Sequence, residues 1–225
     1  MNLLALDTST EYCSVALWRG GRIVERDIHA GQRHSQLLLG MVDEVLKEGG
    51  VALRELDGIA YGEGPGSFTG LRIACGVTQG LAYAHDLPVV GVATLLAMAE
   101  EVCVERVVCA IDARVKEIYH AAYTRVDRGW NVIHAPALYR PDAAPPLPQG
   151  DWVACGSGFA AYREVLEGRY ANRVVKVVPD IYPRARHIAR LSLARFESGE
   201  TVSAEQAAPC YIRDKVALRT DERTA

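Results

Sequence analysis

The feature that most constrains the fold is an order of strands and helices that occurs twice in the chain. Near the N-terminus an apolar strand ends at an aspartate, in Leu6-Asp7-Thr8-Ser9, and the same arrangement returns at Ile111-Asp112-Ala113-Arg114. In each half two more strands follow the aspartate, and helices and strands then alternate. This repetition predicts an α/β protein built from two related halves.

The predicted order in the first half is β-β-β-α-β-α-β-α. The second half starts the same way, but four prolines between positions 141 and 148 replace its first helix with an extended connection, because proline disrupts a helix interior. The order resembles the actin/Hsp70-like (ASKHA) fold, with two βββαβα-type subdomains of which the second is shortened. Predicted helices span about Ser35–Glu48 with Ser35 as N-cap, Phe68–Ala84, a segment from Thr94, Phe159–Leu166 and Ile188–Phe196.

Domain boundaries follow from this duplication. We expect an N-terminal ASKHA subdomain over residues 1–103 that docks partners, and a shortened second subdomain over residues 104–203. Residues 204–225 are expected to form a C-terminal tail that packs back onto the chain or contacts partners.

Composition narrows the class of protein. Hydrophobic residues make up 49% of the 225 positions and charged residues 24%, which suits a globular chain. The net charge of −3 lacks the basic surplus of proteins that bind tRNA by themselves, so any tRNA contact is expected to be indirect. No apolar run approaches the ~18 residues of a membrane span. Six cysteines without a CxxC pair predict reduced thiols in a cytoplasmic protein.

Two turns are candidates for contact with a nucleotide or phosphate. Asp7, Thr8 and Ser9 offer a carboxylate and two hydroxyls where a nucleotide-binding member of this fold presents an aspartate to hydrated Mg²⁺. Gly156 and Gly158 open a helix in the second half, where such folds also touch nucleotide. The alternative is local: an aspartate that ends its strand, and a tight strand-to-helix turn that needs glycine in any case.

The segment GEGPGSFTGLR, from Gly62 to Arg72, is rich in glycine but matches neither standard phosphate-binding loop. A Walker A loop ends in Gly-Lys-Ser or Gly-Lys-Thr, whereas Leu71 follows Gly70. A dinucleotide fingerprint needs glycine at position 69, which is threonine. We therefore interpret Gly64–Gly70 as the turn that begins an interface helix.

The helices before and after this loop carry the predicted partner interface. Gly76 and Gly80 share a helix face, and each costs about 0.5–1 kcal/mol relative to alanine, so close approach of another backbone is expected. The preceding helix has an apolar arc wider than one sheet face requires. Ordinary packing within the chain is the alternative. The predicted interface residues are Leu37, Leu38, Met41, Val45, Leu71, Ile73, Ala74, Val77, Gly80 and Leu81.

His34 is the candidate for a metal ligand, and its context argues against that role. A helical metal site would place a second ligand at position 38, which is leucine, and the sequence contains no HExxH motif. We predict no metal site and no catalytic residue, and we interpret His34 as a capping or surface residue.

Four segments together resemble the bacterial TsaB (YeaZ) family: Leu4–Thr10, His34–Leu38, Gly64–Arg72, and Ile111–Arg114 with Glu117–Tyr119. The match covers most of the chain, and GPGSFTGLR is its most specific part. The resemblance implies a protein of tRNA threonylcarbamoyladenosine biosynthesis, related to the catalytic subunit TsaD. TsaD has a metal-binding His-x-x-x-His, which here would require histidine instead of Leu38.

The resemblance also implies a non-catalytic scaffold that forms a heterodimer with TsaD, with the ATPase TsaE as third component. Together they would serve threonylcarbamoyl transfer to the adenosine beside the anticodon (t6A37) of tRNAs that read ANN codons. Alone, the chain is expected to form a homodimer. No cofactor is expected to be firmly bound, with ATP or ADP present only within the complex. Two rival functions stay open: a free-standing ATPase or kinase that uses Asp7 and the Gly156 loop, and a glycoprotease-like metallopeptidase.

Overall fold

The computed structural model describes residues 1–127 and 129–213. The first half contains β1 (Asn2–Asp7), β2 (Tyr12–Arg19), β3 (Arg22–His29), α1 (His34–Gly49), β4 (Gly58–Gly64), α2 (Phe68–Ala84), β5 (Val89–Ala93) and α3 (Thr94–Val102). The second half contains β6 (Arg106–Asp112), β7 (Ile118–Val126), β8 (Gly129–Tyr139), β9 (Trp152–Cys155), α4 (Ser157–Ala161), α5 (Arg163–Tyr170), β10 (Val174–Val178) and α6 (Ala185–Ser198). Short 3-10 turns lie at Leu53–Glu55, Pro141–Ala143 and Ala204–Gln206.

The two halves have the same sheet topology. Each contains a five-stranded sheet, ordered β3-β2-β1-β4-β5 in the first half and β8-β7-β6-β9-β10 in the second. In both, the first three strands in sequence are antiparallel neighbours, and the last two run parallel to the first of them. This confirms the predicted α/β fold of duplicated actin/Hsp70-like halves. The second half is shortened as predicted, since a proline-rich connection stands between β8 and β9 where the first half has α1.

Two local predictions are wrong. Helix α1 begins at His34, with Arg33 at the N-cap and no side-chain cap, so Ser35 lies inside the helix. The helix predicted over Phe159–Leu166 is two helices, α4 and α5, because Tyr162 between them has non-helical backbone angles (φ −127°, ψ 38°).

The first sheet is covered on both faces. Along β1, Leu4 and Leu6 belong to one buried cluster with Leu38 and Val45 of α1 and Cys75 of α2. The alternate residue, Ala5, packs on the opposite face. The helix on that face is α6, which contributes Ala185, Ile188 and Ala189. The last helix of the second half therefore completes the core of the first half.

Helix α3 forms the seam between the halves. Its Leu95 and Met98 pack in one buried cluster with Cys109 of β6 and Tyr123 of β7. At the far end of α3, hydrogen bonds from His187 and Arg186 hold the pKa of Glu101 at about 2. Among the helices of the described residues, none has the length and apolar character needed to cross a membrane.

Candidate functional site

The outward side of α1 and α2 carries apolar residues and glycines. Leu39 of α1 is 54% exposed, and Leu37, Ile73, Val77 and Leu81 are half-buried at the edge of the core. We call these five residues, with Gly40, Gly76 and Gly80, the α1–α2 surface. Solvent-facing leucine and valine beside glycine suit contact with another protein.

The three glycines of the α1–α2 surface have no local reason to be glycine. A Cβ added to Gly40, Gly76 or Gly80 would meet no other atom within 4 Å. Each lies inside a helix, where glycine is less stable than alanine. The close backbone approach expected at Gly76 and Gly80 is therefore not made within the described part of this chain.

Five of the predicted interface residues lie in the core and not on the surface. Burial leaves Leu38, Val45 and Ala74 with no exposed area, and Met41 and Leu71 with 2% each. Their side chains pack under the helices, so a partner could not reach them on the folded chain. For these five residues, the alternative of ordinary core packing is the correct interpretation.

The glycine-rich loop before α2 packs directly on the turn after β1. The Ser67 amide donates to the Ser9 carbonyl at 2.7 Å, and the Thr8 hydroxyl donates to the Gly70 carbonyl at 2.6 Å. A Cβ at Gly66 would lie 2.5 Å from the Ser9 carbonyl oxygen, and one at Gly70 would collide with the Thr8 carbonyl oxygen. Glycine at these positions lets the two backbone segments contact each other, and the loop thereby covers the turn after β1.

Asp7 is enclosed by this packing. Its Oδ1 accepts hydrogen bonds from the Ser9 amide at 2.9 Å and the Ser9 hydroxyl at 2.8 Å, while Oδ2 has no hydrogen-bond partner. A Cβ at Gly62 would collide with that oxygen, so the carboxylate is directed toward β4. Burial raises the pKa of Asp7 to about 7. Asp7 and Thr8 thus lie beneath the turn, and only Ser9 of the three reaches the space between the halves.

Gly156 and Gly158 are also explained by packing. A Cβ at Gly156 would collide with the Ala110 carbonyl oxygen and lie 2.5 Å from Met98 Cε, and one at Gly158 would lie 2.8 Å from the Ala110 Cβ. Both glycines let α4 approach β6 closely. The residue between them, Ser157, lines the space between the halves, and its hydroxyl accepts a hydrogen bond from the Asp112 amide at 3.1 Å.

That space is a cleft of about 830 Å³. Its first wall includes Ser9, Thr10, Pro65 and Ser67, its second includes Asp112, Arg114, Ser157 and Ala160, and Tyr211, Ile212 and Arg213 of the tail also line it. Asp112 corresponds to Asp7 but reaches the cleft, where it accepts hydrogen bonds from the Arg114 amide at 2.9 Å and the Tyr162 hydroxyl at 3.2 Å. The two aspartates of the repeat therefore have different environments.

His34 is a structural residue. Its Nε2 lies 3.2 Å from the Tyr12 carbonyl oxygen, and the side chain is buried. Leu38, one turn later, lies in the core. Across residues 1–127 and 129–213, no group of three or more His, Cys, Asp or Glu side chains is placed to hold a metal ion.

Comparison with known proteins shows which families resemble this chain in sequence and fold. The family model for TsaD, tRNA N6-adenosine threonylcarbamoyltransferase, matches residues 28–220. The tRNA threonylcarbamoyladenosine biosynthesis protein TsaB of Escherichia coli (strain K12) is 38% identical, covering 97% of both chains. The protein of the same name from Haemophilus influenzae is 36% identical over 96% of this chain and 95% of its own. The solved structure of YeaZ from Pseudomonas aeruginosa is 41% identical, with a TM-score of 0.86 over 93% of this chain and 99% of that chain.

The chain belongs to the TsaB family.

Membership in the TsaB family confirms the resemblance seen in the sequence, and its most specific segment now has a structural role. In GPGSFTGLR, Gly66 and Gly70 seal the turn after β1, and Ser67 caps α2 by accepting a hydrogen bond from the Gly70 amide at 3.3 Å. The predicted start of α2 at Phe68 is correct.

Leu39 was not among the interface residues predicted for this TsaB-family chain, although it lies on the α1–α2 surface. The core positions of α1 are Leu38, Met41, Val42 and Val45, and Leu39 falls outside their spacing. A leucine off the buried stripe of an amphipathic helix is the signal that could have identified it. Tyr83 of α2, 71% exposed, was missed because it stands near the end of its helix among small residues.

Proposed function

We propose that this TsaB-family chain is a non-catalytic scaffold subunit that supports threonylcarbamoyl transfer to adenosine 37 of tRNAs reading ANN codons. The observation that carries the proposal is the α1–α2 surface, where Gly40, Gly76 and Gly80 stand open beside solvent-facing apolar side chains. Glycine in these positions costs helix stability, and packing against a partner helix would offset that cost.

The proposed partner is TsaD, with TsaE as the third component. The match of residues 28–220 to the TsaD family model supports this choice, because two chains of related fold can pair through equivalent helices. In the complex, α1 and α2 would pack against the corresponding helices of TsaD and stabilise its active conformation. In the absence of TsaD, we propose that the same surface forms a homodimer.

The burial of the turn after β1 supports a scaffold role rather than that of a free-standing ATPase or kinase. An aspartate that positions Mg²⁺ has to reach solvent and ligand, whereas Asp7 is fully buried and Thr8 is bonded to Gly70. We therefore propose that no nucleotide binds firmly to the chain alone, and that ATP or ADP is held only within the complex. The bond between His34 and the Tyr12 carbonyl likewise disfavours the metallopeptidase alternative.

We propose that tRNA is contacted indirectly. The chain has 25 Lys and Arg residues against 28 Asp and Glu residues, so it has no basic surplus for phosphate contacts. TsaD would then provide most of the tRNA-binding surface.

The proposal is tested by co-purification of TsaD with Gly76→Leu or Gly80→Leu variants. Each added side chain faces solvent on the free chain, so the variants should fold but hold TsaD at least tenfold more weakly. Gly168→Leu is the matched control: Gly168 is an exposed glycine inside α5 with no atom within 4 Å of an added Cβ. Retention of TsaD by folded Gly76→Leu and Gly80→Leu variants would contradict the proposed interface.

A further inference from the structure

The segment after the last 3-10 turn is fastened along the first half. The Tyr61 hydroxyl of β4 donates to the Ala208 carbonyl at 2.8 Å and accepts from the Ala208 amide at 3.0 Å. On α2, the Gln79 side-chain amide donates to the Ala207 carbonyl at 2.8 Å. The tail therefore lies in a fixed path beside β4 and α2.

The next residues line the cleft beside the same wall. The Cys210 amide donates to the Glu63 carbonyl at 2.7 Å. The Arg72 guanidinium lies 3.7 Å from the centre of the Phe68 ring, and its Nε donates to the Tyr211 hydroxyl at 2.8 Å. The rings of Phe68 and Tyr211 are 5.2 Å apart. Cation–π and aromatic contacts of this kind hold Tyr211 at the start of α2.

Arg213 then crosses to the second half. Its guanidinium forms an ion pair with Glu117, just before β7, in the same turn as Arg114 and Val115 of the second wall. The side chains are 19% and 32% exposed, so the pair is only partly screened by water. Within four residues, the tail contacts both walls.

We propose that Cys210–Arg213 form a strap that holds the two walls of the cleft together. The two halves are also joined by α3, through Leu95 and Met98. In a fold of two halves around a cleft, a ligand bound to both walls would hold the halves together, and here the chain does so with its own residues. The strap links the relative position of the halves to α2, which also carries the α1–α2 surface.

The test is hydrogen exchange of the full chain, with peptides covering 205–213 on one side and 110–118 on the other. Glu117→Gln on the second wall should speed exchange at the Cys210 amide on the first wall about twofold to fivefold. Tyr211→Ala on the first wall should do the same for the Arg114 and Glu117 amides. Effects of this size are expected because a partly exposed ion pair contributes little to overall stability.

A charge exchange and a matched control separate the strap from local loosening. The double variant Glu117→Arg with Arg213→Glu should restore slow exchange on both walls. Glu167→Gln, which removes the exposed Arg163–Glu167 pair on α5, should leave both peptides unchanged. Faster exchange confined to the wall that carries the substitution, or no change on either wall, would overturn the strap.

Discussion

Asp7 and Asp112 hold equivalent positions in the repeat but lie in different chemical environments. Both end the first strand of their half. Asp7 is covered by the glycine-rich loop, whereas Asp112 reaches the cleft and bonds to Arg114 and Tyr162. The pKa of Asp7 rises to about 7 because burial disfavours its ionised form.

The raised pKa of Asp7 makes stability depend on pH in a stated direction. The ordinary pKa is 3.8, so between pH 3.8 and about 7 the folded chain keeps a proton that the unfolded chain has released. The contribution is complete below pH 3.8 and is lost as pH rises through about 7. Asp7→Asn cannot ionise, so from pH 5 to pH 8 it should lose about 3 kcal/mol less unfolding free energy than the unsubstituted chain.

Urea unfolding at the two pH values measures this difference. Asp112→Asn is the matched control, since Asp112 holds the equivalent place in the second half but lies at the open cleft. Parallel loss of stability with pH in the unsubstituted chain and in Asp7→Asn would contradict the buried, protonated state of Asp7.

The order of strands and helices could be predicted because each strand and each helix carries signals in its own local sequence. Helix α2 has the predicted bounds, Phe68–Ala84. The two errors come from contacts distant in sequence. Helix α1 starts two residues earlier than an N-cap at Ser35 would place it, with His34 beside the Tyr12 carbonyl. Tyr162, at the break between α4 and α5, bonds to Asp112.

The site was predictable only in part, for the same reason. Periodicity identified α1 and α2 as unusually apolar, but it could not say which side the sheet would cover. Leu38 and Val45 are buried against the sheet, whereas Leu39 is exposed to solvent. The fit of Gly66 and Gly70 against Ser9 and Thr8 joins segments about sixty residues apart in the sequence, and no local pattern encodes it.

Replacing glycine by alanine should change the unfolding free energy in opposite directions at two positions of α2. Gly70→Ala drives a Cβ into the Thr8 carbonyl and should lower the unfolding free energy by about 1–3 kcal/mol. Gly76→Ala meets no atom within 4 Å and should raise it by about 0.5–1 kcal/mol. Urea unfolding of both variants measures the difference. Equal effects at the two positions would contradict the assignment of Gly70 to internal packing and Gly76 to an open surface.

Across the whole molecule, two halves of equal topology have different roles. The first half seals its own turn and presents α1 and α2 outward. The second half lacks a counterpart of α1, and its last helix, α6, packs on the first sheet. The division at residues 103 and 203 stays a prediction, as does the role of the tail. The segment 214–225 of that tail lies outside the described residues.

The central claim is that this chain supports tRNA modification through its α1–α2 surface without catalysing it. The most direct measurement is threonylcarbamoyladenosine formation on an ANN-reading tRNA, with threonylcarbamoyl adenylate as donor and with TsaD and TsaE, in the presence and absence of the chain. We predict modification with the chain or with Gly168→Leu, and at least tenfold less without the chain or with Gly76→Leu. Full modification without the chain, or with a folded Gly76→Leu variant, would contradict the account.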